Sequence, residues 1–499
     1  MTQYILGIDE GTTSARTLIF DEKCEVRAVA QREITQIYPN SGWIEHDPLE
    51  ILTAQLETMR EALRSADLEP TDITAIALTN QRETAVVWDK ESGRPIHNAV
   101  VWASRQSNGV IERWRERGLD PVIRERTGLN SDAYYSASKI AWILETVPGA
   151  QERAEKGELL AGTIDTWLIW NLTGRCAHVT DYSNASRTMM FNIHTREWDQ
   201  DLLDAYGIPR CMLAKVVSSD TIVGDAGATF GAPIPIASNM GDQQAGLFGQ
   251  VCFRAGQAKM TYGTAGVLTI NCGDTPQMVE GATTSVAWGI GDEVRYENEG
   301  VLFSMGKTMQ WLRDDMKLIH GAADSEWYGG QVASTDGVYL VPAFTGLAAP
   351  TWDPYARACI VGMSSSTNRL HVIRAAVESM VYQTRDVVEA ITANGQVTLP
   401  ELRVDGGAVN NNMLCQLQAD ILGIPVIRPA ITEATALGAT LMAGLSTGVW
   451  ESLDEIEALW SVDRTFEPRM DRSKAEEMYS GWNEAVELSK GWARKVTAR

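Results

Sequence analysis

Short apolar runs separated by polar turns open the chain, and their spacing predicts strand, strand, strand, helix, strand. Residues 4–9 (YILGID), 17–21 (TLIFD) and 26–34 (VRAVAQREI) read as three strands, the first two joined by the turn inside GIDEGTTSAR. Asp47 and Pro48 then supply an N-cap and a first helical residue. The helix is expected to run through about Ala66, because Leu49, Leu52, Leu56, Met59 and Leu63 recur at helical spacing. DITAIALTN and TAVVWD return to strand. Strand clusters alternating with helices predict an α/β architecture.

A second strand–turn–strand lies at 258–270, AKMTYGTAGVLTI, and shares the Gly-Thr turn of the first. Two copies of one device predict two related halves, residues 1–250 and 251–499. RVDGGAVNNNMLCQLQADILG predicts a strand through Val404, a glycine turn and a helix. EATALGATLMAGL, at 433–445, predicts a small-residue helix suited to close contact with a neighbour.

Composition narrows the partners. The chain has 499 residues, 44% hydrophobic, enough for several cores at roughly 100–200 residues per domain. A formal charge of -22 speaks against nucleic acid or an anionic membrane surface as partner. No run approaches the roughly 18 apolar residues of a membrane span, and MTQYILGIDEG lacks a signal-peptide layout, so a cytoplasmic location without membrane insertion is expected. The 7 cysteines are scattered and never spaced CxxC, and the 6 histidines are dispersed, which speaks against disulfides and a zinc site.

The two turns carry the candidate chemistry. Backbone N–H groups in glycine turns approach a phosphate closely, and hydroxyls add donors without charge. In an acidic chain this is a way to hold ATP. Thr12, Thr13 and Ser14 are the candidate donors, Arg16 the cation, and Asp9 a candidate ligand for Mg²⁺. One such turn alone is equally an ordinary hairpin tip; Gly11, Gly263 and the Gly406–Gly407 pair together point to a nucleotide cleft. Glu10 is awkward, because a second carboxylate there repels phosphate unless it turns away. GVLFSMGKT has five residues between Gly300 and Gly306 where a Walker loop needs four, and GIG at 289–291 lacks the third glycine of a dinucleotide fingerprint.

The motifs DEGTTSAR, TNQRET, VVWASR, DTWLIWNLTG, DYSNASRTMMFNIHT, GDQQAGLFGQ, TYGT, FTGLAAPTWDPYAR and RVDGGAVNNN, in this order, resemble those of the glycerol kinases. These belong to the FGGY carbohydrate kinases, within the actin-like ATPase superfamily. The resemblance extends to about Gly481. It implies two actin-like (ribonuclease H-like) domains with mixed sheets flanked by helices, and an ATP, Mg²⁺ and polyol cleft between them. It also implies a homodimer or homotetramer.

Carried over by motif, the resemblance implies that Thr12, Thr13, Ser14 and Arg16 contact the nucleotide phosphates. Thr264, Gly306, Gln310, Ala408 and Asn412 complete the nucleotide site. Arg82, Glu83, Tyr134, Asp242 and Gln243 bind glycerol hydroxyls, with Trp102 as an apolar wall. Asp242 is the catalytic base and, with Asp9, a metal ligand. The chemistry agrees, since phosphoryl transfer needs charge neutralisation, positioning and one proton acceptor. Taken singly, each residue also has a plain structural reading: Arg82 and Glu83 as a surface ion pair, Trp102 and Tyr134 as core aromatics, Asp242 as a helix cap.

Several positions depart from the family pattern. Glu10 stands where glutamine is usual, Ala15 replaces a serine, and Ala133 replaces a proline beside Tyr134. Val267 stands in the polyol site where glycerol kinases have phenylalanine. Pro233 replaces an arginine that in some relatives serves fructose 1,6-bisphosphate inhibition, so that inhibition is not expected. The expected function is ATP-dependent phosphorylation of glycerol to sn-glycerol 3-phosphate, with a kinase of erythritol or threitol as the alternative. A nucleotide-dependent actin-like scaffold and a silent sugar-binding regulator are the readings from other classes.

Overall fold

The structure, a computed structural model, describes residues 2–497 apart from positions 394, 396 and 432. Two mixed sheets dominate it. The first has the strand order Gly224–Asp225, Pro235–Gly241, Ile73–Asn80, Tyr4–Glu10, Ser14–Asp21, Val26–Glu33. The second runs Thr283–Ile290, Glu293–Leu302, Gly266–Gly273, Ala258–Tyr262, Leu402–Asp405, Val426–Pro429, Val462–Phe466.

Within both sheets the same arrangement recurs. Three antiparallel strands, the first two joined by a Gly-Thr turn, are continued by two parallel ones on the far side of the first strand. The short echo in the sequence is therefore a repeated topology. The central strands Tyr4–Glu10 and Ile73–Asn80 are covered on both faces and are almost continuously buried, whereas the edge strand Val26–Glu33 alternates buried and exposed residues in its middle.

Local signals hold at the element ends. Asp47 caps the helix Pro48–Ala66 through its carboxylate, which accepts the Leu49 N–H at 2.8 Å. The second predicted strand begins earlier than its apolar run, at Ser14, because the polar residues after the turn pair with Val26–Glu33. TAVVWD does form a strand, Val86–Asp89, but it pairs with Leu159–Gly162 outside the main sheets. Gly300 lies inside the strand Glu293–Leu302 and Gly306 opens a helix, so no loop spans the Walker-like segment.

What joins the two halves is a pair of helices. Asp242–Gly249 follows the last parallel strand of the first sheet, and Ala434–Thr447 occupies the equivalent place in the second. The Ala434–Thr447 helix packs on the first sheet, against the strands Tyr4–Glu10, Ile73–Asn80 and Pro235–Gly241. Asp242–Gly249 lies between that helix and the second sheet. Close approach demands the small residues: a Cβ on Gly438 would stand 1.8 Å from the Ala245 carbonyl oxygen, and one on Gly249 would stand 2.0 Å from that of Ala434. Ile5, Phe20, Ala75, Ala77 and Ala237 of the first sheet share one core with Ala436, Ala439 and Met442 of this helix.

The second sheet has two unlike faces. Met260, Tyr262, Leu268 and Ile270 point into an apolar core with the helix Arg369–Thr392, while Lys259, Thr261, Val267 and Thr269 alternate onto the side facing Asp242–Gly249. No helix among the described residues is long and apolar enough to cross a membrane.

Candidate active site

Part of the predicted set comes together where the polar face of the second sheet meets the strand ends of the first, through the contacts of Arg82 with Asp242 and Glu299 and of Lys259 with Gln243. Asp9 is the last residue but one of the first strand and pairs in register with Arg16 on the second. Arg16 sits 3.6 Å from Asp9 and 2.8 Å from Glu433, the residue just before the Ala434–Thr447 helix. Burial pushes the Asp9 carboxyl up to about 6; Arg16 opposes this, and the charges of Asp242 and Glu433 add to it. That excess of negative charge suits a cation. Asp9 and Asp242 are the carboxylates from the predicted set that would hold Mg²⁺; among the described residues no group of three or more His, Cys, Asp or Glu side chains forms a metal site.

Strand alternation resolves the difficulty with Glu10. Asp9 and its neighbour point to opposite faces of the strand, so Glu10 turns away from Arg16. It is fully buried, and neither carboxylate oxygen has a hydrogen-bond partner among the described residues. Burial, with the Asp9 charge adding, pushes its pKa well above the ordinary carboxyl value. Burial therefore favours its neutral form, and its side chain points away from the face that carries Asp9 and Arg16.

The Gly11–Ser14 turn is closed by the Gly11 N–H donating to the Ser14 carbonyl at 3.0 Å, which leaves Thr12 and Thr13 at its tip. Ser14 is nearly buried, and its hydroxyl accepts from Gln31 at 3.1 Å. On the opposite sheet the Gly306 and Lys307 N–H groups donate to the carbonyls of Gly263 and Thr264 at 2.9 and 3.1 Å, which locks the second turn onto the helix that carries Gln310. Gly406, at φ 90°, could carry no side chain, since a Cβ would lie 2.6 Å from the Tyr262 carbonyl. Ala408 follows it in the short turn before the helix Asn412–Leu422. Asn412 is fixed by Glu326 at 3.1 Å and by Arg428 at 3.3 Å.

Arg82 and Glu83, from the predicted polyol set, follow directly on the strand Ile73–Asn80. Arg82 and Glu83 are not a surface pair: both are buried, and Glu83 is held at a strained φ of 59°. Arg82 Nε lies 3.1 Å from Asp242 Oδ1, and its Nη2 lies 2.7 Å from Glu299 Oε2 on the second sheet. Arg187 lies 2.7 Å from both Glu83 and Glu299. Charges thus alternate from Asp242 through Arg82, Glu299 and Arg187 to Glu83. Burial alone would raise the Glu299 pKa, but Arg187 and Arg82 outweigh it and hold the carboxylate charged. Glu297 beside it is pushed up by burial and by Glu299.

Gly241 is the N-cap and Asp242 the first residue of its helix; the Asp242 carboxylate accepts the Gln243 N–H at 2.7 Å, so it serves the helix start as well, and it stays about one-third exposed. Trp102 and Tyr134 meet edge to face at 5.5 Å and remain partly exposed. Trp102 is more than an apolar wall, since its indole N–H donates to the Thr12 hydroxyl. Val267 is partly exposed on the cleft-facing side of its strand, opposite Thr261 and Val301. The residues missed from sequence are Arg187, Glu299, Lys259 and Glu433. Arg187, Lys259 and Glu433 lie inside segments quoted above, but nothing local marks them as site residues, and nothing marks Glu299.

The profile for the N-terminal domain of the FGGY family of carbohydrate kinases matches residues 4–249, and that for the C-terminal domain matches residues 258–447. The chain belongs to this family. Among curated proteins, this FGGY kinase is 51% identical to glycerol kinase 2 of Thermotoga maritima over 495 residues, covering 99% of this chain and 100% of the relative. It is 52% identical to the glycerol kinase of Desulfitobacterium hafniense over 489 residues, 97% and 99% of the two chains. Among solved structures, Plasmodium falciparum glycerol kinase with ADP superposes with a TM-score of 0.92 at 33% identity, over 98% of each chain.

Proposed function

We propose that this FGGY kinase transfers the γ-phosphoryl group of ATP to a terminal hydroxyl of glycerol, giving sn-glycerol 3-phosphate and ADP. The observation that carries the reading is the Arg82–Asp242 pair: a buried arginine holds one oxygen of a carboxylate that opens onto the cleft. Relatives named glycerol kinase that match nearly the whole chain support it.

Asp242 takes the proton of the attacking hydroxyl as its oxygen bonds to phosphorus and the bond to the departing ADP oxygen breaks. The turns at Thr12–Thr13 and Thr264 contribute backbone and hydroxyl donors to the phosphates, and Arg16 a cation. Gly306, Gln310, Ala408 and Asn412 border the rest of the nucleotide. Mg²⁺ at Asp9 and Asp242 would supply charge neutralisation on the phosphates. Arg82, Glu83, Tyr134 and Gln243 read the hydroxyls, and Trp102 covers the carbon chain.

Val267 favours a second reading, a four-carbon acceptor, because a smaller side chain there leaves more room beside the substrate. ADP release is to be measured with glycerol, dihydroxyacetone, erythritol, threitol and xylulose. A kcat/KM highest for glycerol is expected; a maximum at erythritol or threitol moves the reading to the larger polyol. Turnover independent of every acceptor would sink both.

A further inference from the structure

Gln243 is next to Asp242 at the start of the same helix, and its amide ends against a residue of the other sheet. Lys259, on the strand Ala258–Tyr262, is 1% exposed. Its Nζ donates to Gln243 Oε1 at 2.7 Å and to Thr261 Oγ1 at 2.6 Å. An amide's two ends have nearly the same shape, so packing alone does not orient it. Lysine does, because an ammonium has three donors and no acceptor and can meet only the carbonyl end. The Gln243 NH₂ is left to face elsewhere, and the side chain is partly exposed at the cleft.

We propose that Lys259 is a positioning residue for polyol recognition, fixing Gln243 as a hydrogen-bond donor towards one substrate hydroxyl. This rests on the polyol kinase reading above. Asp242 then accepts from the reacting hydroxyl while Gln243 donates to the oxygen of another. Since Lys259 belongs to the second sheet and Gln243 to the helix that follows the first, both halves of the molecule define the hydroxyl pattern that is read. Without the ammonium, the amide is free to rotate and present either end.

The test compares the parent, Lys259→Met, Gln243→Ala and the double variant on glycerol, 1,2-propanediol and 1,3-propanediol. Lys259→Met is expected to raise the glycerol KM about tenfold while kcat changes by less than about threefold, the loss of one oriented hydrogen bond. It should also relax discrimination against one diol, the same diol that Gln243→Ala relaxes, and the double variant should lose little more than either single one. An equal fall of kcat/KM on all three acceptors, or an unchanged KM, overturns the proposal. Parent enzyme that fails to phosphorylate glycerol overturns the functional reading instead. ADP binding by calorimetry reports that the variants are folded. Should Lys259→Met not fold, Gln243→Glu keeps a partner for the ammonium and removes the NH₂. It should reproduce the relaxed discrimination, and parental discrimination in that variant overturns the proposal.

Discussion

The indole N–H of Trp102 donates to the Thr12 hydroxyl at 2.8 Å, which ties the predicted polyol wall to the predicted phosphate turn. Accepting this bond uses a lone pair of the hydroxyl and leaves its proton to be given to a phosphate oxygen. Trp102→Phe keeps a ring against Tyr134 but deletes the donor, about 1 kcal/mol of interaction. The KM for ATP and the KM for glycerol are both expected to rise, by about fivefold at most. Steady-state kinetics with each substrate varied in turn check this; a change confined to glycerol would show that the bond does not couple the two sites.

The base has a sharper signature. Asp242→Asn keeps the shape of the side chain beside Arg82 and removes the proton acceptor. Turnover should fall roughly 10²–10⁴-fold, the usual worth of a positioned general base. ADP binding, measured by calorimetry, should stay near the parental value, and near-parental turnover would assign the proton to another group.

Val267 sets how much room the polyol has. Val267→Phe is expected to lower kcat/KM for erythritol and threitol by about tenfold relative to glycerol, an effect of the size expected when a side chain fills space beside a substrate. An unchanged acceptor profile would mean that this strand position does not touch the acceptor.

Glu10 makes stability depend on pH. From the ordinary value of 4.5 upward to the raised value in the fold, the unfolded chain has released this proton and the folded chain has kept it, so stability falls as pH rises through that window. Glu10→Gln removes the titration and keeps the shape. Its melting temperature relative to the parent should therefore climb as the pH rises above the ordinary carboxyl value of 4.5. A constant difference across that rise would mean that the buried carboxyl ionises in the folded chain.

The helix crossing tolerates no added volume. A methyl group on Gly438 meets backbone rather than a movable side chain, so Gly438→Ala should destabilise by about 3 kcal/mol, the upper end of overpacking effects. Urea unfolding measures this directly. Parental stability would mean that the two helices separate without loss.

Much of this was legible in the sequence, and for local reasons. Alternation located the strands, Asp47–Pro48 marked a helix start, and the Gly-Thr turns announced a repeated unit before its sheet order was known. The same alternation already implied that Asp9 and Glu10 face opposite ways, although residue type alone suggested a clash. Lys259 and Glu299 were not legible. Lys259 is the one charged residue of its strand and Glu299 is one of four in a mixed strand; the partner of each, Gln243 or Arg82, lies on a distant segment, and local spacing says nothing about which distant carboxylate or amide a buried cation will meet. Glu433 was hidden for a similar reason, as its partner Arg16 belongs to the first sheet.

The placement of the Ala434–Thr447 helix has a consequence for synthesis on the ribosome. Every strand of the first sheet has been translated by Gly241, yet the helix that covers the face bearing Ile5, Phe20 and Ala77 is among the last elements made. The nascent N-terminal half must hold that oily surface open until Thr447 has left the exit tunnel, a long exposure for a chain emerging vectorially. Cellular production should accordingly depend on chaperone supply more than the finished enzyme's stability would suggest, and a ribosome stalled before this helix would leave an aggregation-prone nascent chain.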